Sequence, residues 1–177
     1  MKRLKMVAGF ESFLAALFMC AGSAYAADIN GTIATTLTIT DNSRLVGDVT
    51  CTVTGAPCIA FGAPGLTLDL NGYSMTGLAD PQVACSGGPT LAMPTMPPEN
   101  GITVDTLSGA TILGPGLVQQ FRNAGIFLNN STGVTVTGVT SSTNCLSGIL
   151  VGGGSGHDLS GNTLVRNGNT NYPCGGI

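Results

Sequence analysis

The sequence predicts an all-β chain wound as a parallel β-helix, and three observations carry that reading. A Gly-Ile pair recurs at Gly101-Ile102, Gly125-Ile126, Gly148-Ile149 and Gly176-Ile177, in steps of 24, 23 and 28 residues. A second marker keeps the same phase at Ile112-Leu113-Gly114, Val136-Thr137-Gly138 and Leu159-Ser160-Gly161, in steps of 24 and 23. Two markers in phase at a fixed period indicate stacked repeats. The residues between them are rich in Val, Ile, Leu and Thr, broken by Gly and Asn, with no apolar stripe at helical spacing. That pattern means short strands and tight turns. One coil takes about 23 residues, and the chain holds four to five coils.

The elements follow in order. Residues 1–26 read as a secretory leader. Lys2, Arg3 and Lys5 make its positive start, Phe13 to Ala21 its apolar run, and Ala24-Tyr25-Ala26 an A-x-A cleavage site that places the mature start at Ala27. The apolar run is too short to span a bilayer, so no membrane span is expected after cleavage. Residues 27–177 form the β-helix domain. Thr36 to Thr40 alternates polar and apolar, and Leu45 to Val49 makes a second run; both are strands of a first, incomplete coil or of a lid over the core. In Leu66 to Asn71 the leucines turn inward and Thr67 and Asp69 outward. Residues 78–100 hold five prolines, too many for an interior strand, and read as a loop inserted between coils.

Three regular coils come next. Ile102 with Val104, Ile126 with Leu128, and Ile149 with Val151 are expected to point inward, in one file. Asp105, Phe127 and Asn129 point outward and form a polar strip beside an exposed ring, a candidate substrate-binding patch where a sugar would stack. The chain stops at Cys174-Gly175-Gly176-Ile177 as another repeat opens, so the reading expects a fold truncated at its C-terminus.

Composition excludes several functions. Removing the leader takes away every lysine and leaves Arg44, Arg122 and Arg166 against eight carboxylates, a net charge of −5. Phosphate backbones would be repelled, so no nucleic-acid partner is expected. Export makes disulfides plausible. Cys51 and Cys58 flank one turn and form one candidate pair. Cys145 and Cys174 each precede a Gly-Ile marker and form the other, leaving Cys85 over. With no C-x-x-C, no zinc site is expected. Met93 and Met96 form a Met-x-x-Met pair that lacks a third copper ligand.

The text Leu66-Thr67-Leu68-Asp69-Leu70-Asn71-Gly72, Gly125-Ile126-Phe127-Leu128-Asn129-Asn130, Val134-Thr135-Val136-Thr137-Gly138 and Gly161-Asn162-Thr163 resembles the right-handed parallel β-helix proteins of the pectin-lyase-like superfamily. The likeness covers roughly residues 35–177. It implies right-handed winding and an association with polysaccharide, while the leader implies a secreted or periplasmic protein. The superfamily also holds adhesins, phage tailspikes and periplasmic copper-associated proteins, and fold alone does not choose among them.

Chemistry narrows the choice. A polygalacturonase-like hydrolase needs clustered carboxylates with Gly-His-Gly and Arg-x-Lys. Here His157 sits in Gly156-His157-Asp158, and the mature chain has no lysine. Counting back from the turn glycines places Asp69 and Asp158 in one column, about 14 Å apart at three strand steps. Glycosidase carboxylates stand about 5–9.5 Å apart. A pectate-lyase-like site needs adjacent acidic calcium ligands and a base; no Asp-x-Asp occurs, and only Arg122 and Arg166 are near. No complete catalytic set and no cofactor are expected. The first expectation is an exported protein that binds or processes polysaccharide; the alternatives are a structural or adhesive repeat protein and, more weakly, a copper-associated one.

Overall fold

A computed structural model describes residues 25–79, 99–168 and 176–177. Among them the chain is all-β, with no helix. The strands are Ala27–Ile33 (β1), Leu37–Ile39 (β2), Ser43–Cys51 (β3), Ile59–Phe61 (β4), Thr67–Asp69 (β5), Ser74–Thr76 (β6), Ile102–Asp105 (β7), Thr111–Gln119 (β8), Ala124–Asn129 (β9), Ser131–Thr132 (β10), Thr135–Ser142 (β11), Ser147–Val151 (β12), Gly154–Ser155 (β13) and Thr163–Val165 (β14). They form a seven-stranded sheet in the order β1-β3-β5-β8-β11-β14, with β6 also bonded to β3 and β8. A five-stranded sheet runs β2-β4-β7-β9-β12, and β10 pairs β13. Every pairing is parallel.

The repeat marker appears directly in the register. Leu37 pairs with Ile59, Ile59 with Ile102, Ile102 with Ile126 and Ile126 with Ile149. Ile102, Ile126 and Ile149 are wholly buried in one file, as expected. The Ile149 N–H donates to Gly176 O at 3.3 Å, so the last marker takes the next place on this file. In the other sheet Leu68, Ile112 and Val136 make a second buried file. β1 and β2 end their sheets, consistent with an incomplete first repeat. Val151 departs from expectation: it is 36% exposed, because β12 is the last strand of its sheet and nothing among the described residues stacks on it.

The glycine of each marker has a packing cause. A Cβ on Gly101 would lie 2.7 Å from Val118 Cγ1 and 2.8 Å from Phe121 Cε2. One on Gly148 would lie 2.8 Å from both Leu164 Cδ2 and Asn167 Nδ2. Strand and corner approach too closely there for any side chain. At one corner a non-glycine residue turns left-handed in each of three successive repeats: Gln120, Thr143 and Arg166 have φ of 58°, 52° and 55°. Such a residue costs roughly 1–2 kcal/mol when it is not glycine. Recurrence at 23-residue steps means that the stacking imposes it.

Asparagine side chains bridge repeats where the backbone bends. Asn144 Nδ2 donates to Asn167 Oδ1 at 2.9 Å, and Asn123 Nδ2 donates to Asn100 Oδ1 at 2.8 Å. The Phe121 N–H donates to Asn144 Oδ1 at 3.0 Å. An amide carries both donor and acceptor, so it replaces the ladder bonds that a corner interrupts. Ser141, buried in a core file, is satisfied likewise: its Oγ donates to Gly148 O at 2.9 Å and accepts from Asn144 Nδ2 at 3.0 Å.

Ile126→Ala is expected to lower stability by about 2–5 kcal/mol, through lost apolar contact and a cavity within the file. Urea unfolding reads this as a lower midpoint at unchanged slope. The outward-facing Thr137→Ala should shift stability by no more than about 0.5 kcal/mol.

Candidate functional site

Alternation along β7 buries Ile102 and Val104 and turns Thr103 and Asp105 to the outer face. β9 repeats the pattern in register, so Phe127 stands beside Thr103 and Asn129 beside Asp105. Asn129 Nδ2 donates to Asp105 Oδ1 at 2.8 Å on the surface. The three residues of the candidate patch are therefore contiguous. A carboxylate accepts about four hydrogen bonds and a primary amide both donates and accepts, so the pair keeps capacity for further hydroxyl partners.

Phe127 is half-buried, where the sequence implied an exposed ring. The cause lies on the next strand. Leu150 is its registered neighbour, and a Cβ on Gly152 would stand 2.9 Å from Phe127 Cε2 and 3.1 Å from Asn129 Oδ1. The missing side chain at Gly152 lets ring and amide lean across the strand. On the opposite side Thr103 has the small Ala60 as neighbour. The result is a firm, shallow face with one partly covered ring, one exposed carboxylate and one amide.

The other sequence candidates fall into place differently. Cys51 and Cys58 are disulfide-bonded, with Cα atoms 6.0 Å apart. Cys145 is also disulfide-bonded; its expected partner Cys174 lies outside the described residues, as do Cys85, Met93 and Met96. Asp69 and Asp158 do not share a column. Thr67, Thr111, Thr135 and Asp158 make one column, while Asp69 registers with Leu113 two residues further along. Counting back from the turn glycine failed because Gly72 comes five residues after Thr67, whereas Gly114 and Gly138 come three after Thr111 and Thr135. His157 serves a turn: its Nδ1 accepts from the Val134 N–H at 3.3 Å. Arg166 is a left-handed corner residue. Among the described residues no three His, Cys, Asp or Glu side chains converge on a common metal position.

Arg122 is not simply solvated. Its Nη1 meets Glu99 Oε2 at 3.1 Å, and Glu99 is nearly buried, with 9% of its side chain exposed. Glu99 Oε1 also accepts the Gly55 N–H at 2.8 Å, inside the loop closed by Cys51 and Cys58. Sequence reasoning missed this clamp, yet a signal was present. Glu99 and Arg122 are 23 residues apart, one repeat, as are Asn100 and Asn123, and Asn144 and Asn167.

Comparison with family models, with curated proteins and with solved structures finds no match.

Glu99→Ala should cost about 1–3 kcal/mol, because it strands the Gly55 N–H and the arginine together. Thermal unfolding checks this. A double-mutant cycle with Arg122→Ala should show coupling, whereas two independent sites would add.

Proposed function

We propose that this chain is a right-handed parallel β-helix, exported from the cell, that binds polysaccharide along the outer face of the five-stranded sheet. The observation that carries the reading is the contiguous Asp105, Asn129 and Phe127 patch on paired strands. Sugars are recognised by hydrogen bonds to their hydroxyls and by contact of an apolar ring face with an aromatic side chain. The patch offers both, and rigid strands hold it in place. The parallel register at 23–24-residue steps supports the winding, and the leader-like residues 1–26 together with the Cys51–Cys58 disulfide support export.

The Asp105, Phe127 and Asn129 patch holds one carboxylate and no basic side chain, and the role proposed for it is binding. A structural or adhesive role is the second reading, favoured by the low charge and the repetition itself.

Pull-down on insoluble polysaccharides and a glycan array test the proposal. Phe127→Ala should weaken binding roughly tenfold, the worth of one aromatic contact, and Asp105→Ala should do so at unchanged unfolding midpoint. Binding that neither variant alters would place the site elsewhere. Absence of any glycan binding would leave the structural reading.

A further inference from the structure

The leader contains two overlapping small-x-small sites, Gly22-Ser23-Ala24 and Ala24-Tyr25-Ala26. Small residues three before and immediately before the cut are what the leader peptidase requires, so either fits. The folded domain distinguishes them. Tyr25 is bound into it: its hydroxyl donates to Asp69 Oδ2 at 3.0 Å, and the Arg44 guanidinium lies 5.8 Å from its ring centre. Asp28, Arg44 and Asp69 are registered across β1, β3 and β5, and Arg44 Nε donates to Asp28 Oδ1 at 2.8 Å. Tyr25 thus lies against a carboxylate–guanidinium–carboxylate row spanning the first three strands of the larger sheet. The Ala26 N–H adds a bond to Asn42 O at 2.8 Å, extending the pairing of β1 by one residue.

Cutting after Ala26 would discard the tyrosine and this backbone bond together. Cutting after Ala24 keeps both.

We infer that the leader is removed after Ala24, so that the exported protein begins at Tyr25. Water hydrolyses the Ala24–Tyr25 peptide bond, leaving a carboxylate on Ala24 and an amine on Tyr25. The inference rests on the export reading above. Burial, then the bond to Asp69, raises the Tyr25 phenol above its ordinary value of 10.0. The contact therefore contributes stability fully below that pH and loses it as pH rises through the raised value.

The test is the intact mass of the full chain after export from a bacterial host. A product starting at Tyr25 is expected. A start at Ala27, or at any other residue of the leader, overturns the inference and leaves export standing. An unprocessed chain starting at Met1 overturns both. Ala26→Asp, which forbids only the later cut, should leave processing unchanged, and blocked processing in this variant overturns the inference. In the exported product Tyr25→Phe should lower the urea midpoint, and an unchanged midpoint removes the physical ground for retaining Tyr25.

Discussion

The structure depends on parallel pairing between residues one repeat apart. Each strand is short, from two to nine residues, and alone would bury almost nothing. Paired at the usual spacing of about 4.8 Å, like side chains stack in files and each backbone group finds its partner on the next repeat. Leu37, Ile59, Ile102, Ile126 and Ile149 show the principle, because β-branched and leucine side chains of similar volume occupy equivalent places and leave no step in the packing. The file also closes between Ile59 and Ile102, which pair although 43 residues apart; most of the 78–100 segment that the sequence reads as an inserted loop lies outside the described residues.

Three kinds of residue make the pairing possible at the corners. Glycine at Gly101, Gly125 and Gly148 removes a side chain that would strike the neighbouring corner. Left-handed residues turn the chain at more than one bend of each repeat. Asparagine amides carry hydrogen bonding past the bend. Glu99, bonded to Arg122 and to the Gly55 N–H, ties this part of the chain to the loop that the Cys51–Cys58 disulfide closes. A nearly buried carboxylate is costly unless it is paired and hydrogen-bonded, and Glu99 has both an arginine and a backbone N–H.

The outer faces follow from the same alternation. Alternate positions point outward, and there β7, β9 and β11 carry threonine, aspartate and asparagine. The patch at Asp105, Phe127 and Asn129 is a product of register. Three residues far apart along the chain become neighbours because β7 and β9 align without slippage.

The sequence by itself determined the strand content, the repeat length and the inward file, since a period of 23 to 24 with alternating apolar residues has few other packings. It also placed Asp105 and Asn129 together and paired Cys51 with Cys58, because each follows from repeat spacing or local separation. Tertiary structure alone decided the rest. Whether Phe127 is exposed depends on the glycine one strand away. Whether Val151 is buried depends on what stacks above it. The column of Asp69 depends on how each repeat bends, which the turn glycines do not reveal. The partner of Arg122 was written at the repeat distance. Only the fold showed that Glu99 turns into the disulfide loop, where burial makes that pairing obligatory.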